Sequence, residues 1–490
     1  MIWLSILGGL ATGQLASNTE LTIYNQGFAL VKEARELSLS AGRQSLAIED
    51  VAALIETNSV GVRLIGGTPF QVLEQNYQFD LISVQAILNK AVGKKVTFNR
   101  VHPDGSKERI SGTLVSSPTS IVNPGVSDPN AGYNWGSYGM PGGSTMTYNG
   151  MVVRTDDGRI LLNPTGEIEV AEIPEGLISK PTLMWEIEAA RAGRSNVELS
   201  YLTNGVTWNS DYVLTIAEDA PGAMQGWVTL SNQSGRTYAD ATLKLLAGDV
   251  NRVQPARPGG MARGGFGGAA MDMAMGKQFE QESLFEYHLY TLQRKTTVRD
   301  KETKQVSLLA SNQVKTTKKL ILDPLRSMGM YYPGEGEVGT GELKPQVRVE
   351  FENTEANGLG IPLPKGKVKV YQRDKSGSVQ MIGENSIDHT PKNEKLSLVV
   401  GRSFDIRADR FRTNFERLGP RSTRESFSIE IRNRKDVPET VHLYERRWGD
   451  WTVTRSSMDF AKLDSNTMEF VVTLGAGESK TVTYTVETKW

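Results

Sequence analysis

A chain of 490 residues exceeds the size of one ordinary domain and predicts roughly two to four. Lysine and arginine total 55 against 56 for aspartate and glutamate; this formal charge of -1 disfavours a dedicated nucleic-acid-binding protein, which normally carries excess positive charge. The absence of cysteine excludes disulfides, thiolate metal sites and a cysteine nucleophile.

The first segment, residues 1–17, resembles an export signal. It opens with "MIWLSILGGLATG", which is apolar from Ile2 to Leu10 and ends in small residues, as a cleavage site requires, although no lysine or arginine precedes the apolar run. It is shorter than the about 20 apolar residues that span a bilayer, and no later segment is long enough either. We expect a cleaved signal peptide and a periplasmic or extracellular protein, with a buried N-terminal strand as the alternative.

Residues 18–180 predict an N-terminal β domain with one helix. The pattern "ISVQAILNKAVG" places that helix at about 82–92. Short strands at about 93–175 predict a small barrel-like region. Within it, Asp157-Gly158 predicts a tight hairpin turn in which both central residues have positive φ.

Residues 181–490 alternate apolar and polar side chains with a period of two, which is typical of antiparallel sheets packed face to face. The predicted inward positions are Val347, Val349, Phe351, Phe427, Ile429, Ile431, Met468, Phe470, Val472, Leu474, Val482, Tyr484 and Val486. The fold class is therefore mainly β, with antiparallel β-sandwich domains that could divide near 345.

A Gly/Met-rich stretch at 255–278 lies between two predicted strands. It contains one RGGFGG unit at 263–268. RNA-binding tails use many such units, and one arginine neutralises little phosphate charge, so we expect a solvated, disordered loop.

The histidines form no HExxH motif or His/Cys cluster, so the sequence predicts no metal site and no cofactor. Asp388 and His389 are neighbours that could serve as a catalytic pair, but adjacent strand residues point to opposite faces. His288 is a candidate binding residue in a strand. Ser234 in "NQSGR" is interpreted as a turn residue and not as a nucleophile.

Tryptophans supply the other candidate binding residues. Trp208, Trp227, Trp448 and Trp451 could form a carbohydrate-stacking platform, although most tryptophans in sandwiches belong to the core. Carboxylate pairs for glycoside hydrolysis could also come from distant strands.

Seven phrases, in order, resemble an uncharacterised bacterial family, domain of unknown function 4139, whose relatives include mucoidy-inhibitor-like proteins. They are "LTIYNQGFALVKEAREL", "VLEQNYQFDLISVQAILNKAVGKKVTF", "EIPEGLISKPTLMWEIEA", "YLTNGVTWNSDYVLTI", "LSNQSGRTYADATLKLLAGDV", "FEYHLYTLQRKTTVRDKETKQVSLL" and "IPLPKGKVKVYQ…IGENSIDHTPKNEKLSLVVG". The resemblance implies an exported or envelope-associated β-protein, and it supplies no catalytic residues.

These observations predict a non-enzymatic exported protein that binds or scaffolds an envelope protein or glycan. The alternative is an extracytoplasmic hydrolase acting on glycan or peptide through Asp388 and His389. A weaker alternative is an RNA-associated protein that uses the RGGFGG unit.

Overall fold

The computed structural model describes residues 11–12, 16–102, 105–117, 120–122, 147–174, 177–217, 220–248, 250–252, 279–326 and 339–490. The protein is mainly β, with several mostly antiparallel sheets and one α-helix among the described residues, which confirms the predicted fold class. Residues 1–10 and 13–15 of the predicted signal peptide and the whole predicted loop 255–278 lie outside this description. No helix in the described ranges is long and apolar enough to span a membrane.

The described ranges contain 35 β-strands. Up to residue 204 they are β1 (Ala11–Thr12), β2 (Ser17–Tyr24), β3 (Phe28–Leu39), β4 (Gly42–Glu49), β5 (Gly61–Gly67), β6 (Phe70–Gln78), β7 (Lys95–Val101), β8 (Lys107–Ser116), β9 (Ser120–Val122), β10 (Thr147–Asn149), β11 (Val152–Thr155), β12 (Ile160–Leu162), β13 (Glu167–Val170), β14 (Thr182–Ala189) and β15 (Gly193–Asn204).

The later strands complete the list. They are β16 (Val206–Ile216), β17 (Gly222–Asn232), β18 (Tyr238–Ala247), β19 (Phe279–Leu284), β20 (Tyr287–Leu292), β21 (Thr296–Val298), β22 (Glu302–Val314), β23 (Thr317–Leu322), β24 (Gly341–Leu343), β25 (Gln346–Glu352), β26 (Gly366–Arg373), β27 (Val379–Ile387), β28 (Lys395–Arg402), β29 (Ile406–Gly419), β30 (Ser422–Asn433), β31 (Glu439–Arg446), β32 (Asp450–Ser456), β33 (Ala461–Lys462), β34 (Thr467–Leu474) and β35 (Ser479–Lys489). Short 3-10 turns occupy Thr57–Ser59 and Glu355–Asn357.

The chain forms two compact units. The first comprises the described residues of 1–20, 30–204 and 234–238, and the second comprises those of 21–29, 205–233 and 239–490.

The first unit contains a sheet with the strand order β12-β11-β8-β7-β13 and another with the order β1-β4-β14-β6. Helix α1 (Val84–Lys90) is shorter than predicted at both ends: Ser83 sets its start by accepting the Ala86 N–H at 3.1 Å, and Ala91 is its C-cap. Buried Leu88 packs the helix against the core of the five-stranded sheet.

The hairpin at 156–159 forms as predicted between β11 and β12, but its turn differs. Only Gly158 has positive φ, at 89°, so the requirement for two left-handed residues was wrong. The Thr155 N–H donates to the Arg159 carbonyl at 2.9 Å, and Gly158 N–H donates to the Thr155 carbonyl at 2.9 Å. This longer loop, closed by one left-handed glycine, also matches the twist of the two strands.

The second unit ends in a β-sandwich, here called the C-terminal sandwich. Its sheets have the strand orders β28-β25-β23-β31-β34-β33 and β24-β29-β30-β35-β32. One core cluster draws side chains from both sheets: Leu320, Leu322, Ile406, Ala408, Phe427, Ile429, Ile431, Val441, Leu443, Trp451, Met468, Phe470, Val472, Leu474, Val482, Tyr484 and Val486. The period-two prediction of inward residues is therefore confirmed for β30, β34 and β35.

An ionic network is buried in the C-terminal sandwich. Arg410 donates to both carboxylate oxygens of Glu445 at 2.8 and 2.9 Å, and Tyr484 Oη donates to the same group at 2.8 Å. Arg447 donates to Tyr484 Oη and lies 3.9 Å from Glu425. Burial opposes the ionisation of Glu445, but the charges of Arg410 and Arg447 outweigh it and hold the pKa of Glu445 below its usual value.

The first unit buries a second network. Arg35 donates twice to Glu33, at 2.9 and 2.7 Å, and Arg236 Nη2 lies 2.7 Å from the other Glu33 oxygen. Arg236 also donates to Tyr201 Oη at 2.5 Å and lies 3.7 Å from Asp50. Because each buried charge has an opposite charge beside it, the network holds strands together without leaving an isolated ion in the core.

Candidate functional site

The five-stranded sheet β22-β17-β16-β26-β27 of the second unit exposes one face, here called the tryptophan face. In register, one residue from each strand forms a row across it: Ser307, Trp227, Asp211, Lys367 and Ser386. Directly opposed residues in a sheet point to the same side. The sequence neighbours of four of them, Val306, Val228, Tyr212 and Val368, are buried, so the row points outward.

Trp227 lies in this row with 37% of its surface exposed. The same strand buries Met224, Val228 and Leu230 on its other side. Gln225 and Thr229 flank Trp227 along the strand on the outward side. The indole is thus presented to solvent among polar neighbours.

Hydrogen bonds fix part of the polar surface around the indole. Thr229 Oγ1 donates to Asp211 Oδ2 at 3.0 Å, and Gln305 Nε2 donates to Thr229 Oγ1 at 3.2 Å. Lys367 Nζ lies 3.5 Å from the carboxylate of Glu384. The face therefore offers oriented donors and acceptors, and it carries charges of both signs.

The hydrogen bonds described for Asp388 and His389 run mainly to backbone groups. Asp388 Oδ1 accepts the backbone N–H of His389 at 2.9 Å, and His389 Nδ1 accepts the Lys365 N–H at 3.2 Å. When the ring is neutral, its proton therefore lies on Nε2, which is 3.5 Å from the side-chain amide of Asn25. The carboxylate of Asp388 is engaged by the backbone and does not orient the imidazole through this bond.

His288 lies close enough to His389 for their charges to interact. Its Nδ1 is 3.0 Å from Gln281 Nε2. Burial and, secondly, the charge of His389 lower the pKa of His288 below its usual value. The sequence does not predict that His288 and His389 lie near each other, because about a hundred positions separate them. In the part of the chain that the structure describes, no three His, Asp or Glu side chains form a potential metal-ligand group.

The predicted tryptophan candidates occupy different environments. Trp208 is 2% exposed and Trp451 is 6% exposed, so neither indole can stack on a ligand from solvent. Trp451 Nε1 donates to the Ser465 carbonyl at 2.8 Å. Trp448 is half-buried, with its ring centre 5.9 Å from that of Trp490. Ser234, interpreted as a turn residue, lies at a buried bend.

The sequence contained a signal that separates Trp227 from Trp208. In "MQGWVTL" the apolar Met224 and Val228 share one side of the strand, and Trp227 falls on the other side with Gln225. In "VTWNSDY" Trp208 falls on the same side as Tyr212, which is buried. Strand parity therefore predicts which indole faces solvent.

No protein-family model matches the chain, and no curated protein matches it.

Proposed function

We propose that this protein is a non-enzymatic, exported binding protein of the bacterial cell envelope, and that its tryptophan face binds a neutral glycan. One observation carries the proposal: the 37%-exposed indole of Trp227 lies in a row of outward polar side chains.

The chemistry of a sugar ring fits this surface. A pyranose has a face of C–H groups that can cover an indole, while its hydroxyl groups both donate and accept hydrogen bonds. Asp211 and Gln305 lie on the strands beside Trp227 and can bond to such hydroxyls. Lys367 and Glu384 balance each other's charge, which favours an uncharged ligand over an ionic one.

The location in the envelope is supported by the sequence. The apolar run at 2–10, within the predicted signal peptide 1–17, has the composition of an export signal, and the resemblance to the family of domain of unknown function 4139 implies exported proteins. Expression with a C-terminal tag in the native host, followed by fractionation and N-terminal sequencing, tests this part. A mature chain beginning near Gln14 outside the cytoplasm supports it, and an intact Met1 in the cytoplasm contradicts it.

Titration with neutral oligosaccharides tests the glycan site. Purified protein is titrated in a calorimeter with N-acetylglucosamine and glucose oligomers, using wild type, Trp227→Ala and Trp490→Ala. Trp490 is a matched control because its exposure, 36%, is nearly the same. We expect Trp227→Ala to weaken binding about tenfold, or about 1.4 kcal/mol, and Trp490→Ala to bind as wild type does.

Two results would contradict the glycan proposal. One is equal affinity of wild type and Trp227→Ala for an oligomer that binds. The other is no binding of either oligomer series to the wild-type protein.

A further inference from the structure

A cleft of about 780 Å³ opens where the chain crosses between the two sheets of the C-terminal sandwich. The chain leaves β24 in one sheet and enters β25 in the other through Lys344 and Pro345, and it returns from β28 to β29 through residues 403–405. The Ser403 N–H donates to the Pro345 carbonyl at 2.8 Å, which holds the two crossings side by side. The resulting cleft is lined by fixed backbone and has a size typical of small-ligand sites.

Three cationic side chains line this crossing cleft. Lys344 and Arg402 are exposed, one beside each crossing, and Arg326 Nη1 donates to the uncharged Gln346 amide oxygen at 2.6 Å. Gln346 is also the register partner of Arg402. Within the described residues, none of these three cations forms an ion pair.

The two carboxylates in the lining are already neutralised. Asp323, with a side chain 4% exposed, accepts the Arg446 guanidinium, the shortest contact being 2.8 Å. Glu342 forms an ion pair with Arg407. Both arginines lie outside the lining, so the positive charge of Lys344, Arg402 and Arg326 is not balanced inside the cleft.

We infer that the crossing cleft binds the carboxylate or phosphate group of a small anionic ligand. Arg402 presents a planar fork that matches either group, and Lys344 adds a point charge from the neighbouring crossing. Phe404, 79% exposed at the cleft, can cover an apolar part of the ligand. This site uses other residues than the tryptophan face and does not depend on the glycan proposal.

Calorimetry at low ionic strength tests the site with two probes, citrate for carboxylates and inorganic tripolyphosphate for phosphates. The variants are Arg402→Gln, Lys344→Gln and the charge-matched control Lys375→Gln, whose lysine is exposed in the turn after β26. We expect at least one probe to bind wild type. Each cleft variant should bind that probe at least about fivefold more weakly, and Lys375→Gln should bind it less than twofold more weakly. Arg402→Lys is expected to recover part of the affinity, because it restores the charge but not the fork.

The two probes distinguish a carboxylate ligand from a phosphate ligand. A preference for citrate assigns a carboxylate ligand, and a preference for tripolyphosphate assigns a phosphate ligand. The inference is overturned if neither probe binds wild type, or if Lys375→Gln weakens binding as much as the cleft variants do. Trp227→Ala is expected to keep full anion affinity, which distinguishes failure of this site from failure of the glycan site.

Discussion

Replacing Glu445 by glutamine is expected to destabilise the C-terminal sandwich severely. Glu445 is fully buried and accepts two bonds from Arg410 and one from Tyr484. The substitution removes the negative charge and points a donor amide group at donor groups of its neighbours, while Arg410 stays buried. Removing one partner of a buried ion pair costs about 3–5 kcal/mol, because the remaining charge is left uncompensated.

Guanidinium denaturation combined with hydrogen exchange measures the loss in free energy of unfolding of the C-terminal sandwich. Amides of β30 and β35, the strands that carry Glu425 and Tyr484 of the network, report the opening of the C-terminal sandwich alone. At the slopes typical of guanidinium, the midpoint is expected to fall by about 1 M. Glu416→Gln is the control, since its pair with Arg424 has side chains 50% and 39% exposed and such pairs contribute about 0–1 kcal/mol.

The reasoning fails if the two variants lose the same stability. That result would mean that the glutamine amide satisfies Arg410 as well as the carboxylate does. The reasoning is supported if only Glu445→Gln loses stability and hydrogen exchange in β7 and β8 of the first unit is unchanged.

Two other predictions concern pH and backbone strain. Burial and the charge of His389 lower the pKa of His288, so the unfolded chain takes up that proton at a higher pH than the folded chain does, and stability is expected to fall as the pH drops below about 6.5. The urea midpoint is therefore expected to fall less between pH 7.5 and pH 5 in His288→Gln than in wild type. An equal fall in both proteins would contradict this prediction. Gly235 has φ 78°, and an added Cβ would lie 2.4 Å from Ala53 Cβ, so Gly235→Ala is expected to cost about 3–5 kcal/mol in thermal unfolding. Gly158→Ala, with positive φ but open space, is expected to cost only about 1–2 kcal/mol, and equal losses would refute a role for the clash.

Alternation along the strands was enough to predict the sandwich and much of its core. Phe427, Ile429 and Ile431 are all buried, as their spacing predicts. The same rule extends to Trp227, whose outward position follows from the parity of its strand. Such features depend only on which side of a strand a residue occupies, and that is local information.

The buried charges could not be predicted in this way. Glu33 and Arg35 share the side of β3 that also buries Val31, although charged residues ordinarily point to solvent. Their burial is possible because Arg236, two hundred positions later, supplies a neutralising charge. A single strand's pattern contains no information about such a partner.

The crossing cleft was missed for a related reason. Lys344 lies in the crossing just after β24, and Arg402 is the last residue of β28, so parity gives neither side chain a direction. Only the pairing of β25 with β28, which sets Gln346 opposite Arg402, brings them to one place.

The network around Glu445 also restricts how this sequence can change over generations. Losing Arg410 or Glu445 alone leaves the opposite charge unpaired in the core. The effect of each substitution therefore depends on whether its partner has already changed. Apolar residues of similar volume could replace the whole cluster at little cost, but single-step routes to that state pass through poorly folded intermediates. We therefore expect descendants of this chain to keep these residues together or to exchange them together.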